Sequence, residues 1–513
     1  MKNLVVVGSG QSGLIAALLV RHTIPGYANI TVISSSDIPP VAIGESSTEQ
    51  WDSFEQIVGM SRRETIRQCD ATFKYGIRFM DWTNHTPDYM HSVSSPQVYS
   101  NQFNSLYSYI DASKLLLTPA LSPRGLTEGL VTNFDAHDDR ILKQVNQLHF
   151  DTHKLNKYLR NFCVQDGIEF VDAEVQGIER DSHTGDITKL VTSNGNYSAD
   201  FVIDASGFNK TVLSMLGEVH VTTFEDILPC NSALVFQTPP EADSNLKPYT
   251  LAKALSAGWR WEIPTYDRRG NGYVFSSNHI TESQALEEIE KDLGIKIPDA
   301  RLIEFTPHYV TNSWQFNCVA VGLASNFVEP LEATSIAATI NQVRLLCSNL
   351  PTYKPNSASL RNSYLRTFEG IVDNMLAMVA MHYVSDRVDS PMWIEQQNRP
   401  KTDLLQSLIE IMEHRGPEDH DIPHTGFELF RPVHFWHVGQ GQGLINQENS
   451  QIGLNAHGSE QRAKDLVDEM TKNHGLSGNV DHRRVITRAR IGLPTTPYPK
   501  MELGKYQIER LDN

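Results

Sequence analysis

LVVVGSGQSGLIAALLVRH, residues 4–22, is the stretch that decides the predicted fold. Its apolar start predicts a buried strand, and its apolar end predicts a helix. Between them, Gly8, Gly10 and Gly13 have the spacing G-x-G-x-x-G, and the strand NITVIS follows after a turn at Pro25-Gly26. Such glycines let the backbone approach a pyrophosphate, which the N–H groups at the helix N-terminus bind. The sequence therefore predicts an α/β fold with a Rossmann-like dinucleotide site, in preference to a plain βαβ turn.

One position departs from the usual pattern of this site. The second strand of such folds commonly ends in an acid that binds the ribose hydroxyls. Here the corresponding residue is Ser34, with Asp37 three positions later. A hydroxyl can still hydrogen-bond a ribose, although more weakly than a carboxylate. We therefore keep Ser34 as a predicted cofactor contact.

Composition narrows the range of functions. The chain has 513 residues, a net charge of −17 and 40% hydrophobic residues. This length predicts two or three modules, or one large interleaved enzyme. The acidic balance argues against a nucleic-acid partner, because phosphate backbones are bound by basic surfaces. No signal peptide precedes the first strand and no apolar run approaches about 18 residues, so we expect a cytoplasmic protein that does not bind a membrane.

The five cysteines are dispersed and form no C-x-x-C pair. This pattern predicts buried, reduced thiols rather than a disulfide framework or a metal site.

Further elements continue the α/β pattern. A helix is predicted at 151–165, with Asp151 or Thr152 as its N-cap, and another at 402–414. Apolar strands are predicted at 168–171, 173–179, 187–192, 201–205 and 316–324.

Four motifs, in order along the chain, point to one family. They are GSGQSG at 8–13, FKYGIRFMDW at 73–82, GWRWEIP at 258–264 and FVEPLEATSI at 327–336. Together they resemble the flavin-dependent halogenases of the tryptophan-halogenase type, from residue 3 to about 345. The likeness continues more loosely through HYVSDRVDSPMW and FWHVGQGQG. In this family, the W-x-W-x-I-P signature distinguishes halogenases from related flavin monooxygenases.

The resemblance implies an FAD-binding, Rossmann-like fold of the GR2-type flavin monooxygenases, an α/β (α+β) architecture with an interleaved substrate module. The expected FAD module is discontinuous and comprises 1–70, 146–216 and 301–345. Residues 71–145 and 217–300 form the expected substrate and β-sheet module. A mainly helical region at 346–513 completes the substrate pocket.

Lys74 and Glu332 fall on the family's catalytic lysine and glutamate. Taken alone, Lys74 between Phe73 and Tyr75 suggests a surface lysine whose stem lies along apolar neighbours. The resemblance implies instead that it acts on hypohalous acid, either as an ammonium donor or as a neutral amine that is itself halogenated. Glu332 would orient the hypohalous acid and take the proton that the ring loses.

Two further groups of residues take roles from the resemblance. Backbone N–H groups of Thr334 and Ser335 would hold the halide at a helix N-terminus. This chain has EATS where several tryptophan-specific members have ESTG, which bears on halide preference among chloride, bromide and iodide. Trp259 and Trp261, two apart on a strand, point to one face and would form a wall between flavin and substrate. Packing in the core is the simpler alternative for both.

The remaining site predictions concern the cofactor and the substrate. The predicted FAD contacts are Gly8, Gly10, Ser12, Gly13, Ser34, Gly44, Glu45, Ser46, Asp204, Gly322 and Ile336. For Asp204 a strand-end Asx turn is the alternative. The predicted substrate-pocket residues are His91, Phe103, Trp436 and His437, and no metal is expected.

The resulting hypothesis is a two-component halogenase. Reduced FAD, oxygen and halide would generate hypohalous acid, which travels to Lys74 and halogenates an indole- or phenol-type ring. Only one strand–G-x-G-x-x-G–helix unit is present, so a separate flavin reductase is expected as a transient partner. A homo-oligomer is compatible with these features. The alternatives are a flavin monooxygenase that hydroxylates an aromatic substrate and a flavin-binding scaffold without activity.

Overall fold

The computed structural model describes residues 1–38, 46–86, 88–92, 130–132, 147–240, 246–355, 357–446 and 479–491, with 448, 449, 451, 452, 455, 461 and 465. Two large sheets organise the chain. Helices cover them, in an α/β architecture that agrees with the predicted fold class. The helix bounds are Gln11–Thr23, Gln50–Val58, Arg62–Gln68, Thr152–Gln165, Thr211–Leu216, Glu282–Leu293, Thr334–Asn349, Ala358–Met381, Pro391–Gln396, Asp403–Met412, Pro432–Gly441 and His482–Ile491.

The first sheet is built around the N-terminal strand and has six strands. Its order across the sheet is Trp314–Gln315, Cys318–Ala320, Phe201–Asp204, Asn3–Val7, Asn29–Ser34 and Glu169–Asp172. All neighbouring strands are parallel except the pair at the edge that contains Trp314. Parallel strands bury both faces, which explains why LVVV and FVID are continuous apolar runs. We call this sheet the six-stranded sheet.

The second sheet has seven strands and is mainly antiparallel. Its order is Arg301–Glu304, Ser232–Thr238, Arg269–Phe275, Gly258–Pro264, Thr250–Leu255, Gly76–Met80 and Asp88–Ser92. One parallel pair, Thr250–Leu255 with Gly76–Met80, joins segments that are far apart in the sequence. Arg301–Glu304, which begins the last segment of the expected FAD module, pairs with Ser232–Thr238 of this sheet. We call this sheet the seven-stranded sheet.

Short strands complete the structure. A three-stranded meander comprises Val175–Arg180, Ile187–Thr192 and Gly195–Ser198, and a second small sheet comprises Val221–Thr223, His308–Val310 and Asn326–Phe327. Two ribbons pair Thr72–Lys74 with Gln147–His149, and Leu130–Thr132 with Asn479–Asp481. Single 3₁₀ turns lie at Gly207–Asn209, Gly322–Ala324, Leu331–Ala333, Leu350–Thr352 and Asp419–Asp421.

The buried centre of the cofactor half is the helix Gln11–Thr23. Its residues Gly13 to Val20 are all buried, and it packs against the helices Thr334–Asn349 and Thr152–Gln165. The predicted helix at 151–165 is confirmed with Asp151 as its N-cap, since the Asp151 carboxylate accepts from the Lys154 N–H at 2.9 Å. All five cysteines are buried and free, as predicted.

One motif is divided between two strands, and one predicted strand is shorter than expected. The motif FKYGIRFMDW is broken at Tyr75, and its two halves join different sheets. The strand expected at 316–324 covers only Cys318–Ala320, because the backbone turns into a 3₁₀ helix at Gly322, whose φ is +60°. Of the helices in the described ranges, none has the length and apolarity needed to cross a membrane.

Candidate active site

A cavity of about 400 Å³ lies where the two large sheets approach each other. Its lining includes Val7 and Ile33 of the six-stranded sheet and Thr250 and Ala252 of the seven-stranded sheet. The glycine turn, Lys74, both tryptophans of GWRWEIP and the segment Pro330–Ala333 line the same cavity. All four sequence motifs therefore contribute residues to this cavity, and FKYGIRFMDW contributes Lys74 and Ile77.

The glycine turn has the shape that a pyrophosphate requires. Gly8 has φ of +108°, and a Cβ there would lie 2.4 Å from the Ala205 carbonyl oxygen. At Gly10 a Cβ would meet nothing within 4 Å, so the space beside it is open to a ligand. Gly10 is also the N-cap of Gln11–Thr23 and provides no side-chain cap, which leaves the first helical N–H groups to other acceptors. These observations fit a bound dinucleotide phosphate.

Two predicted cofactor glycines serve packing instead. Gly13 does not line the cavity, and a Cβ there would lie 2.0 Å from the Gly8 carbonyl oxygen. Gly322 also lies outside the lining, and a Cβ there would lie 2.2 Å from Ser12 Oγ. Ser12 itself lines the cavity, and its hydroxyl lies 3.2 Å from Thr339 Oγ1. Gly13 thus allows two backbone segments to approach closely, and Gly322 makes room for the Ser12 side chain.

The structure places the other predicted cofactor residues as follows. Ser34, Ser46 and Ile336 line the cavity. Asp204 does not: its buried carboxylate accepts hydrogen bonds from Ser206 and from the N–H groups of Val212 and Leu213, so it fixes a strand-end turn and a helix start. This is the Asx-turn alternative. Gly44 and Glu45 lie outside the described residues.

Lys74 is a buried lysine and not the surface residue that composition suggests. Its side chain is 1% exposed, and its ammonium donates to the Ser47 carbonyl oxygen at 2.9 Å. Burial lowers the pKa of Lys74 to about 8, and the negative charge of Glu332 opposes part of this shift. The strand Thr72–Lys74 holds it in place by pairing with Gln147–His149.

Glu332 lies in a strained turn at the start of the helix Thr334–Asn349. Glu332 has φ of +66° and Ala333 has φ of +55°, a left-handed conformation that non-glycine residues seldom adopt. Its buried carboxylate contacts His91 Nδ1 at 2.8 Å and His382 Nε2 at 2.9 Å. Burial by itself raises the pKa of Glu332, but the charge of His91 and the hydrogen bonds from His91 and His382 outweigh it and hold the pKa well below its ordinary value.

The predicted substrate-pocket histidines lie behind Glu332 rather than on the cavity. His91 Nε2 lies 3.0 Å from His434 Nδ1, and the His437 ring lies 5.7 Å from the His91 ring. Neither His91 nor His437 lines the cavity, and Trp436 packs against the His437 ring. Phe103 lies outside the described residues.

Trp259 and Trp261 face the same side of their strand, as their spacing predicts. Their ring centroids are 6.0 Å apart, and both rings line the cavity. The Trp261 ring lies over Gly272 of the neighbouring strand, where a Cβ would be 2.0 Å from the ring. Trp259 packs in turn against Trp82 at 6.2 Å. Gly272 therefore makes room for the Trp261 ring of GWRWEIP.

A second carboxyl lies close to this wall. Glu329 is fully buried, and burial raises its pKa to about 8. Its surroundings include Trp259, Tyr383 and Cys230. This carboxyl is consequently neutral over most of the physiological pH range, in contrast to Glu332 three residues later.

The predicted halide residues lie at the start of the helix Thr334–Asn349. Ser335 and Ile336 line the cavity, while Thr334 is buried beside it. The Thr334 hydroxyl has no hydrogen-bond partner among the described residues. The N-cap Ala333 provides no side-chain acceptor, so the first N–H groups of this helix are available to an anion.

Sequence reasoning missed several residues of the site. His382 and His434 were not singled out, although both complete the surroundings of Glu332. The loop Ser206–Asn209 and the segment 173–175 also line the cavity. Both had a signal, because each follows the carboxyl end of a parallel strand, where ligands bind in such sheets. Across the described ranges, no cluster of three or more His, Cys, Asp or Glu side chains is arranged to hold a metal ion.

Comparison with known proteins agrees with this geometry. The family model for tryptophan halogenases matches residues 3–457. Tryptophan 7-halogenase RebH of Lentzea aerocolonigenes is 28% identical over 443 residues, which cover 80% of this chain and 81% of RebH. The 7-chloro-L-tryptophan 6-halogenase KtzR of Kutzneria sp. is 27% identical over 488 residues, which cover 90% and 94% of the two chains.

Solved structures give the same result. A tryptophan halogenase from Shewanella frigidimarina superposes with a TM-score of 0.83 at 25% identity, over 96% of this chain and 98% of that one. The flavin-dependent halogenase BrvH from Brevundimonas sp. BAL3 superposes with a TM-score of 0.79 at 25% identity, over 95% and 99%. With its glycine turn, buried lysine and paired tryptophans around one cavity, the chain belongs to the tryptophan halogenase family of flavin-dependent enzymes.

Proposed function

We propose that this protein is an FAD-dependent halogenase that places an electrophilic halogen on an electron-rich ring of the indole or phenol type. The observation that carries the proposal is the position of Lys74 and Glu332. Both are buried, they line the same cavity, and the glycine turn lines it as well. An amine can donate to hypohalous acid and a carboxylate can accept the proton that the ring loses, so the two groups suit transfer of a halogen to a ring.

The glycine turn and Ser34 would hold the cofactor. Gly8 and Gly10 allow the backbone to approach the pyrophosphate, and Ser34 would contact the ribose. Ser46 and Ile336 line the remainder of the cofactor space. Bound in its reduced form, FAD would supply, with oxygen and a halide, the oxidising power that converts the halide to hypohalous acid. We further propose that a separate reductase delivers the reduced flavin, since GSGQSG is the only dinucleotide motif that lies between a strand and a helix in the part of the chain that the structure describes.

A halide would bind at the start of the helix Thr334–Asn349. The helix N-terminus carries partial positive charge and free N–H groups. Ser335 faces the cavity, and the buried Thr334 hydroxyl provides a further donor. Chloride, bromide and iodide all fit the chemistry of such a site.

Lys74 would act on the hypohalous acid. With a pKa of about 8, the amine is roughly 90% protonated at pH 7. The ammonium can donate to the oxygen of the hypohalous acid and make the halogen more electrophilic. The neutral fraction could instead form a nitrogen–halogen bond, and the pH dependence described in the Discussion separates the two routes.

Glu332 would complete the substitution. As the carbon–halogen bond forms, the oxygen–halogen bond breaks, and a proton from Lys74 turns the departing hydroxide into water. The ionised Glu332 carboxylate accepts the proton that the ring loses. Return of this proton to Lys74 restores both groups, so that the net change converts the arene and hypohalous acid to the halogenated arene and water.

The tryptophan wall supports halogenation over hydroxylation. Trp259 and Trp261 belong to the seven-stranded sheet and line the same cavity as the glycine turn and Lys74. A wall at this place keeps an aromatic substrate from the flavin, while a small oxidant can pass. A monooxygenase would need direct access of the substrate to the flavin and would not need Lys74.

The test combines reduced FAD, oxygen, bromide and a panel of electron-rich indoles and phenols. We expect products with the bromine isotope doublet in the mass spectrum. Lys74→Ala should lose these products while oxidation of the reduced flavin continues. Hydroxylated products without bromine, or bromination that persists in Lys74→Ala, would contradict the proposal.

A further inference from the structure

The carboxylate of Glu332 is surrounded by donors whose arrangement is set by residues further away. Because Glu332 is ionised, it can only accept hydrogen bonds. His91 Nδ1, 2.8 Å from both carboxylate oxygens, and His382 Nε2, 2.9 Å from one of them, must each carry a proton. The open question at His382 is whether its other nitrogen, Nδ1, is protonated too.

The side chain of Gln442 decides the orientation of the outer part of this network. Its terminal amide lies 2.7 Å from the His382 carbonyl oxygen, which can only accept, so the nearer atom is the Nε2 amide nitrogen. The same nitrogen lies 3.2 Å from the Tyr89 hydroxyl oxygen. Gln442 therefore donates to Tyr89.

Tyr89 transmits this orientation to His382. Within the part of the chain that the structure describes, the Tyr89 hydroxyl has two hydrogen-bond partners, Gln442 and His382. Since its oxygen accepts from Gln442, its proton points to His382 Nδ1, at 3.3 Å. His382 Nδ1 is then an acceptor and carries no proton. The His382 ring is neutral, with its single N–H directed at Glu332.

We propose that Tyr89 and Gln442 are positioning residues that keep His382 neutral and its Nε2–H directed at Glu332. The relay runs Gln442 to Tyr89 to His382 to Glu332, each group donating to the next. Its role rests on the proposed function, in which Glu332 accepts the ring proton. A cationic His382 would bind Glu332 as an ion pair and make it a weaker base, whereas a neutral donor orients the carboxylate without adding a second positive charge beside it.

Other groups around His382 agree with a neutral ring. His382 is buried, the Phe79 ring stacks on it at 4.3 Å, and the Trp82 ring packs at 5.8 Å, so two aromatic rings adjoin it. The titratable groups that act on it are Glu332, which favours the cation, and His91, which opposes it. Burial is the largest effect and lowers the pKa of His382 below its ordinary value.

The relay also explains how a strained turn is maintained. Glu332 and Ala333 both adopt left-handed backbone conformations. Such strain persists only where the surroundings over-determine the geometry. Hydrogen bonds from His91 and His382 to one carboxylate provide this constraint.

The test is a pH titration of the histidine ring nitrogens by ¹⁵N NMR, in full-length protein labelled with ¹⁵N-histidine. The His382 signal is assigned by its loss in His382→Gln. In the unmodified protein, we expect a neutral Nε2–H ring from pH 6 to 8. In Tyr89→Phe the acceptor nitrogen loses its donor, so the titration of His382 should move up by about one pH unit. Gln442→Met should give a smaller shift in the same direction.

Tyr364→Phe is the matched control. Tyr364 is equally buried but packs against Trp314 and Phe368. We expect it to leave the His382 titration unchanged. A cationic His382 should slow halogenation on the acidic side of the pH profile. The pH at which the rate falls to half on that side should therefore move up by about one unit in Tyr89→Phe and stay unchanged in Tyr364→Phe.

The NMR arm needs no turnover, so it separates this inference from the proposed function. A cationic or Nδ1–H His382 at pH 7 would overturn the relay, as would an unchanged titration in both Tyr89→Phe and Gln442→Met. If the titration moves as expected but bromination survives in Lys74→Ala, the relay stands and the proposed catalytic roles fall.

Discussion

The ring of Trp261 lies directly over Gly272, so that a Cβ at position 272 would be 2.0 Å from the indole. The two residues are opposite each other on neighbouring antiparallel strands. A side chain at 272 would push the Trp261 ring toward the cavity, which links a glycine on the sheet to the wall beside the proposed flavin site.

Gly272→Ala should therefore displace Trp261. We expect it to cost roughly 1–3 kcal/mol of stability through overpacking and to lower the yield of halogenated product per flavin oxidised. Product and peroxide are measured together by mass spectrometry and a peroxide assay. Gly177→Ala is the control, because a Cβ there would meet its nearest neighbour at 3.8 Å, an ordinary contact. If both variants gave the same yield of halogenated product per flavin oxidised, the position of Trp261 would not matter for the reaction.

Lys74→Met should yield a more stable but inactive protein. The folded state lowers the pKa of Lys74 to about 8 from 10.5, so at pH 7 it holds a buried cation at a cost of about 3 kcal/mol. Loss of the bond to Ser47 offsets about 1 kcal/mol, which leaves a net gain of about 2 kcal/mol. Because the folded pKa is depressed, the difference should shrink as the pH rises from 8 to 10.5. Urea unfolding at pH 7 and pH 10 measures it; a destabilised Lys74→Met at pH 7 would contradict the assignment.

The pH dependence of halogenation separates the two routes at Lys74. If the ammonium acts as a donor, the rate should fall as the pH rises through about 8. If the neutral amine is halogenated, the rate should rise over the same interval. Single-turnover rates with added hypobromous acid remove the flavin steps from the measurement. A flat profile between pH 7 and 9 would exclude both roles for this amine.

Glu329→Gln should change how stability depends on pH. The folded state raises the pKa of Glu329 from 4.5 to about 8, so it binds the proton more tightly than the unfolded chain does. The stability contributed by the neutral acid is complete below pH 4.5 and is lost as the pH rises toward 8. We therefore expect Glu329→Gln to match the unmodified protein near pH 5 and to be more stable at pH 8.5, by up to about 5 kcal/mol.

Urea unfolding at the two pH values provides the measurement for Glu329. Glu304→Gln is the control, since Glu304 is exposed at the end of a strand. An equal effect of Glu329→Gln at pH 5 and pH 8.5 would contradict the prediction.

Gly10→Ala and Gly13→Ala should fail in different ways. At Gly13 a Cβ would lie 2.0 Å from the Gly8 carbonyl, so Gly13→Ala should lower the melting temperature of the apoprotein. At Gly10 there is room for a methyl group, so stability should be kept, while the methyl group fills the space where the pyrophosphate approaches. FAD titration by fluorescence should then give weaker binding, by about tenfold or more. Normal FAD affinity in Gly10→Ala would place the phosphate elsewhere.

The parts of this molecule that the sequence predicted are those governed by local rules. The glycine turn depends on the spacing of three glycines between a strand and a helix. The N-cap Asp151 likewise depends on neighbours a few residues away. The alternation of Trp259 and Trp261 is equally local. The catalytic assignments of Lys74 and Glu332 came from family resemblance, and the structure adds their burial in one cavity.

The parts that were missed depend on distant contacts. His382 reaches Glu332 from the end of a long helix, and His434 reaches His91 from another helix, 343 residues along the chain. Neither histidine follows a pattern, because each is defined only by what it meets after folding. The break at Tyr75 is similar: its N–H bonds to the Pro248 carbonyl, a partner that no local pattern indicates.

The parallel pairing of Gly76–Met80 with Thr250–Leu255 has a consequence for how this enzyme reaches its working form. Trp82 bonds to the Ala252 carbonyl across 170 residues, and Lys74 lies only two positions before the first of these strands. Closing so long a loop is entropically costly and slow. We therefore expect Lys74 to be positioned late in folding, and a nascent chain that has not yet reached residue 250 to present Gly76–Met80 as an edge open to aggregation.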